Sequence, residues 1–476
     1  MIADLKPYAE YKESGLPWLG ALPSHWKLLR NGSLFSQRNQ TGFGHLPILE
    51  VSLKTGVRVR NFENSTRKQV MSDFGKYKRA VKGDLAYNMM RMWQGAIGVT
   101  PVDGLVSPAY VVARPFPEVV TQYYSYLFRT DMYMGEIDAY SRGIVKDRNR
   151  LYWDQFKQMA SLFPPPDEQA AIVRFLDYAN RRLERAIRAK RKVIVILNEQ
   201  KQGIIHRAVT CGLDPNVLLK PSGIPWLGEI PSHWEVRRLK NIKSSNPNSF
   251  VDGPFGSSLK SIHYVPSGHA YVIESGFITS GQFVWKNFKT ITKEHFKTIQ
   301  RSSCRGGDII IAKIGAYFGM AGILPDLDRP AVVSGNSLKL TVNERIASNR
   351  FVHLALLSAR VSGALDLIVN ATAQPALSLG GMNNLALPMP PRPEQEEIFI
   401  HIACETKKLV IAIERLEREI RMLREYRTRL IADVVTGKLD VRGVAASLPD
   451  ESNEPTLAVD AEAEDEAADE GEEVSE

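Results

Sequence analysis

Cysteine is scarce. The 476-residue chain has three, Cys211, Cys304 and Cys404, with no CxxC pair and no ligand-like spacing to its nine histidines. A disulfide framework and a zinc site are therefore not expected, and a reducing, cytoplasmic setting fits. Long apolar runs are missing too. No stretch of 18 apolar residues exists, so no membrane span is expected, and residues 1–12 lack the apolar core of a secretory signal. There is no GxxxxGK[ST] loop to cradle nucleotide phosphates and no strand-flanked GxGxxG. No Asn/Asp-Pro-Pro-aromatic run of the amino-methyltransferase kind occurs, and no carboxylates with a neighbouring Lys are arranged as a nuclease site. No catalytic residue, cofactor or metal site is assigned. His25 and His233 both sit inside Pro-Ser-His-Trp, where packing or turn capping is the expected role.

Charge is abundant and unevenly placed. The net charge is +8, from 61 Lys/Arg and 53 Asp/Glu. Thirteen of the acids fall between Asp450 and Glu476, a segment with no Lys or Arg, so the body carries 61 Lys/Arg against 40 Asp/Glu, a net of +21. A body that basic suggests a polyanionic partner, most simply nucleic acid. The acidic, Ala-rich segment cannot bury enough apolar surface to fold alone and is expected to be disordered.

The chain also repeats itself. Gly15-Leu16-Pro17-Trp18-Leu19-Gly20 with Pro23-Ser24-His25-Trp26 returns as Gly223-Ile224-Pro225-Trp226-Leu227-Gly228 with Pro231-Ser232-His233-Trp234. Downstream, Pro165-Pro166-Asp167-Glu168-Gln169 is echoed by Pro391-Arg392-Pro393-Glu394-Gln395. The first echo has an offset of 208 (223 − 15) and the second of 226 (394 − 168), so two copies of one unit differ inside by 18 residues.

Each Pro-rich punctuation opens a long helical pattern. Ile402, Thr406, Leu409, Ile413, Leu416, Ile420, Leu423, Arg427 and Leu430 follow heptad spacing, and the first copy repeats it with Leu176, Asn180, Leu183, Ile187, Lys190, Ile194 and Leu197. Acids at each start (Asp167, Glu168 and Glu394) suit the helix dipole, and Gly212 and Gly437 serve as stops. About 40 residues give a rod of roughly 60 Å. The preferred reading is an intramolecular antiparallel coiled coil, with the polar levels Asn180/Thr406 and Lys201/Arg427 helping to fix register. Between the echoes lie short β-rich runs (Leu46–Leu53, Ala109–Ala113, Ala270–Ile273, Ile309–Ile314, Ala331–Val333, Ser337–Val342) and helical stretches (Thr121–Asp131, Asn349–Leu357). These predict two versions of one α+β domain.

The candidate chemistry is binding. The first variable region offers Lys54, Arg58, Arg60, Lys76, Lys78, Arg79, Arg91, Arg142, Lys146, Arg148 and Arg150, interleaved with Tyr77, Tyr87 and Trp93. The second offers the Gly/Ser loop Gly253–Lys260, with Ser257, Ser258 and Lys260, and then Lys286, Lys289, Lys313, Asn336, Lys339 and Gln374. Arg, Lys, Asn and Gln read base edges, whereas amides, Ser and Lys mostly position phosphates.

Together the paired Pro-Trp openings, the Glu-Gln helix starts and the Leu-Asp endings (Leu213-Asp214 and Leu439-Asp440) resemble the specificity subunit of Type I restriction-modification systems. The Gly253–Lys260 loop and Thr372-Ala373-Gln374-Pro375-Ala376-Leu377-Ser378 also look like family loops. In the first variable region Lys54-Thr55-Gly56-Val57-Arg58 fits, but no Gly-Ser-Ser-Leu-Lys loop is present. The resemblance implies an α+β fold with two globular target recognition domains in a pseudo-twofold repeat, separated by two long antiparallel helices forming a coiled coil. Its segments would be 1–163, a first helix 164–212, 213–388, a second helix 389–442 and an acidic tail 443–476. It further implies a non-catalytic subunit that binds an asymmetric, bipartite double-stranded DNA target. Such a subunit docks two methyltransferase subunits, together with restriction subunits. A self-contained DNA methyltransferase or nuclease is the alternative reading, and a coiled-coil scaffold that binds no DNA is a further one.

Overall fold

The computed structural model describes residues 5–53, 55–60, 74–143, 149–369 and 376–449. Lys54, Lys146, Arg148 and Gln374 lie outside the described residues. The chain divides into two compact units, Met1–Arg188 with Ile420–Glu476, and Ala189–Glu419. Two long helices, Pro166–Cys211 and Arg392–Val435, each contribute one end to each unit.

The units repeat one sheet. In the first, four strands run in the order Phe35–Arg38, Tyr110–Pro115, Leu85–Asn88, Ile97–Val99. The second has the same order in Phe250–Asp252, Ser337–Leu340, Ile309–Ala312, Ala321–Ile323. Ala270–Ile273 and Ala331–Val333 are strands over the whole of their predicted runs, and Asn349–Val361 is a helix. Both faces of the central strand are covered in each unit. Ile309 and Ile311 join the main core of the second unit while Ile310 and Ala312 face a second cluster. Leu85 and Tyr87 do the first duty in unit 1, and Ala86 the second. A fully buried Leu, Ile or Phe contributes about 1.5–3 kcal/mol relative to an exposed one.

The structure places most of the 18-residue difference. The offset is 208 (239 − 31) at the short helices Asn31–Leu34 and Leu239–Ile242. It has become 224 (309 − 85) at the central strands and 226 (386 − 160) at the strands before the long helices. The growth therefore falls mainly ahead of the central strand. Strands Leu49–Ser52 and Gly56–Val59 are joined by residues 53–55, whereas Ala270–Ile273 and Lys289–Ile291 are joined by the much longer 274–288.

Each unit fixes the helix ends with one clamp, and that clamp explains both sequence echoes. In unit 1 the Glu168 carboxylate accepts from Trp26 Nε1 (2.9 Å) and Tyr8 Oη (2.5 Å), and sits 2.8 Å from His25 Nε2. In unit 2 Glu394 accepts from Trp234 Nε1 (3.0 Å) and sits 2.9 Å from His233 Nε2. The neighbouring glutamines work as a pair as well. Gln169 donates to Pro164 O (2.8 Å) and accepts from Val120 N (2.9 Å), and Gln395 donates to Pro390 O (2.9 Å) and accepts from Ser348 N (2.7 Å). The opposite helix arrives at the same tryptophan. Gly437, at φ +78°, leaves room for only 3.0 Å between a Cβ and Trp26, and Gly212, at φ +76°, for 3.2 Å to Trp234. Since one helix starts and the other stops at each Trp, the two run antiparallel within each unit.

The heptad seam holds, with burial graded along it. Leu183, Ile187 and Ile420 are buried, and Ile194, Leu197, Leu409, Ile413, Leu416 and Leu423 are half-buried. Two helices alone cover one stripe of each other and no more. The Asn180/Thr406 level bonds elsewhere: Asn180 Nδ2 donates to Tyr126 Oη (3.2 Å), and Thr406 Oγ1 donates to Ile402 O (2.7 Å) of its own helix. Arg427 does pair across the helices, with Glu184 at 3.6 Å in unit 1, and Lys190 pairs with Glu419 at 2.6 Å in unit 2.

Candidate nucleic-acid interface

One end of the repeated sheet gathers several of the described candidates, on the same backbone bonds in both units. After strand Leu85–Asn88, Met89 donates its N–H to Ala109 O (3.3 Å) and accepts from Leu151 N (2.9 Å). After strand Ile309–Ala312, Lys313 donates to Asn336 O (2.8 Å) and accepts from Leu377 N (2.9 Å). Three loops are thereby stitched at the carboxyl end of the central strand. One of the three is closed by a two-residue antiparallel bridge, Arg142↔Arg150 in unit 1 and Val369↔Leu377 in unit 2.

On this frame the side chains differ. Unit 1 presents Arg142 and Arg150, both exposed, beside the exposed Arg91 that precedes the Met92–Gln94 turn. Unit 2 presents the exposed Asn336 and the half-buried Lys313, whose Nζ lies 3.2 Å from Asp252. Next to Asp252 runs the Gly/Ser loop. A Cβ on Gly253 would come within 1.9 Å of Ser334 O, so only glycine lets the loop approach Ser334–Asn336. Ser257, Ser258 and Lys260 are then exposed, as is Phe255 at 78 %. Lys286 is exposed on the 274–288 connection that only unit 2 has at this length.

Other candidates are held in place by partners. Arg58, on a strand directly opposite Glu50, pairs with it at 2.6 Å, and Arg60 Nε lies 3.9 Å from the same carboxylate. Lys78 donates to Tyr110 O (2.8 Å), and desolvation lowers its pKa. Arg79 pairs with Asp103 at 3.1 Å and stacks over Phe43. Lys76 is exposed on the Phe74–Lys76 turn. Lys289 pairs with Glu274 at 3.1 Å.

Three expectations about surface placement change. Lys339 is 6 % exposed, not a surface donor: it lies opposite Ile310 on the covered second face, where desolvation pulls its pKa down. Tyr87 is fully buried and Tyr77 nearly so, leaving half-buried Trp93 as the aromatic of that trio nearest the surface. The sequence also missed the carboxylates at the frame's centre. Glu168 and Glu394 recur with His25 and His233, and that joint recurrence was the available signal.

Comparisons with known proteins agree with this frame. Residues 231–407 match the Type I restriction modification DNA specificity domain. The chain is 24% identical over 293 residues to the Type I restriction enzyme MjaVIII specificity subunit of Methanocaldococcus jannaschii, a match covering 61% of this chain and 64% of that protein. It is 22% identical over 441 residues to the putative MjaX specificity subunit of the same organism, covering 89% and 96%. A solved chain from a type I R-M system, described in terms of its complex assembly and conformational transition, shares the fold with a TM-score of 0.58 at 14% identity, covering 88% of this chain and 99% of that one. The chain is thus similar to Type I restriction-modification specificity subunits, in sequence over residues 231–407 and in the relatives it matches, and it shares the fold of the solved chain.

Proposed function

We propose that this chain is the DNA sequence-recognition subunit of a Type I restriction-modification complex and reads an asymmetric, bipartite duplex target. Each unit reads one half-site with the loops at the carboxyl end of its central strand. The observation that carries this reading is one backbone frame bearing different side chains, Arg91, Arg142 and Arg150 in one unit and Asn336, Lys313 and the Ser257-Ser258 loop in the other. Arginines and amides on exposed loops can read base edges in the major groove, while the Gly/Ser loop and Lys260 hold phosphates. The two long helices set the half-site spacing, since dimer-like readers must match DNA in distance and helical phase. The outer faces of those helices, where the second exposes Ile400, Ile411 and Met422, dock two methyltransferase subunits, and restriction subunits join them. No described helix is long and apolar enough to cross a membrane.

The test is a duplex-binding titration in rising salt, with the chain alone and with its methyltransferase partner. Tight binding that falls steeply with salt is expected, with methylation only in the presence of the partner. Methylation or cleavage by the chain alone, given S-adenosylmethionine or a divalent metal, favours the self-contained enzyme. Salt-insensitive, sequence-blind retention contradicts the proposal.

A further inference from the structure

Unit 2 joins the paired strands Ala270–Ile273 and Lys289–Ile291 by residues 274–288, where unit 1 uses residues 53–55. The longer connection is tied down and rich in rings. Val284 N donates to Phe277 O (2.7 Å), and Gly281 O lies 3.0 Å from His353 Nε2. Phe277 stacks on Phe283 and on Phe288, with ring centroids 5.7 and 5.1 Å apart. Trp285 stands across that stack, 5.5 Å from Phe283 and 5.7 Å from Phe288 and near perpendicular to both. Of the chain's seven tryptophans, all of them described, Trp285 alone is exposed, at 61 %. A large ring that is fixed in place yet left wet gains little from folding, and a partner can cover it at small entropic cost.

Phe288 carries this surface onward. Its ring lies 4.5 Å from that of Tyr271, and the two line a depression of about 460 Å³ with Tyr264, Lys289 and Arg329. The protein itself positions the two cations. Lys289 is held by Glu274 (3.1 Å) and the Tyr264 ring, and Arg329 by Gly268 O (2.8 Å), Asp328 (3.8 Å) and the Tyr271 ring. Lys286 is exposed next to Trp285 in the chain, and residues 283–297 hold four Lys against one Glu. A row of rings in a basic setting fits one chemistry best, a strand of unpaired nucleotides, whose bases offer π faces and whose phosphates offer negative charge. In a duplex those faces are covered by neighbouring base pairs.

We propose that Trp285, Phe288 and Tyr271 form a stacking track for unpaired nucleotides of a single DNA strand, with Lys286, Lys289 and Arg329 supplying the positive charge. The track is separate from the loops proposed to read the duplex. Asn336 follows the carboxyl end of strand Ala331–Val333, whereas Arg329 precedes its amino end. The consequence is a single-strand contact made by unit 2 and not by its repeat, beyond the duplex-reading role.

The experiment titrates the full-length chain and its variants with a labelled short oligothymidylate and, separately, with a labelled duplex, reading anisotropy and tryptophan emission. The unaltered chain should bind the single strand with quenching of its emission. W285A should weaken that binding by about tenfold or more and leave duplex binding unchanged. W285F should keep much of the affinity and lose the quench, because a phenyl ring still stacks while the reporting indole is gone. K286Q should weaken single-strand binding and flatten its salt dependence. Free dTMP at millimolar concentration should fail to displace the strand, since one base covers only part of the track. Equal single-strand affinity of W285A and the unaltered chain overturns the proposal. A parallel loss for duplex and single strand also overturns it and makes Trp285 a duplex contact, and displacement by dTMP makes the depression a mononucleotide site instead. Duplex binding without single-strand binding removes the track and leaves the reading role, and the converse removes the reading role and leaves the track.

Discussion

At the candidate edge of the sheet, Met89 and Ala109 of unit 1 stand where Lys313 and Asn336 stand in unit 2, joined by the same backbone hydrogen bonds. At the helix clamp the reverse holds, with Trp26, His25 and Glu168 matched by Trp234, His233 and Glu394. The difference lies in which atoms do the work. At the edge the main chain holds the shape, so side chains can vary at little cost to the fold. At the clamp the side chains are themselves the fasteners, so they recur.

The clamps are alike in chemistry and unlike in depth, which gives the largest expected contrast. The Glu168 side chain is 2 % exposed and serves Trp26, His25 and Tyr8, whereas Glu394 is 25 % exposed and serves Trp234 and His233. Glu168→Ala would strand buried donors and should cost about 3–5 kcal/mol, against about 1–3 kcal/mol for Glu394→Ala. Urea unfolding followed by tryptophan fluorescence measures both, and equal losses would break the distinction. The helix stops differ in the same direction. A Cβ on Gly437 would sit 2.6 Å from Pro23 Cδ, whereas on Gly212 the nearest atom is Trp234 Cζ2 at 3.2 Å. Both positions have positive φ, so Gly437→Ala should cost about 2–4 kcal/mol and Gly212→Ala about 1–2 kcal/mol by the same assay.

A smaller contrast concerns pH. In unit 2 the His353 Nε2 lies 3.0 Å from both Gly281 O and Ala321 O, tying the helix Asn349–Val361 to the loop after Phe277. Desolvation lowers its pKa below the ordinary 6.5. Below pH 6.5 the unfolded chain therefore binds more protons at this site than the folded chain, and stability rises with pH through that window. Acidification from pH 7 to 5 should lower the denaturation midpoint of unit 2, and His353→Gln should flatten that dependence. An unchanged slope in the variant would remove His353 from the account.

Much of the fold was legible in the sequence, because repeats and heptads are local patterns. The Gly stops, the acidic helix starts and the strands Ala270–Ile273 and Ala331–Val333 needed no tertiary knowledge. The candidate site was less so. Ser337-Leu338-Lys339-Leu340 alternates like a strand with one wet face, yet a second sheet covers the Lys339 side. The clamp joins Trp26 to Glu168 across 142 residues, and no local pattern announces such a bond. Nor does sequence say that Met89 meets Leu151, the contact that gathers the arginines of unit 1 at one edge.

The central claim is that each unit reads its own half of the target from a shared frame. Its most direct test is to replace residues 27–163 with the equivalent domain of one of the specificity subunits it resembles and map DNA methylation in cells that also express the proposed methyltransferase partner. The account predicts that one half of the recognised sequence changes while the other half and the spacer length stay as they were. A change in both halves, or in neither, would contradict it.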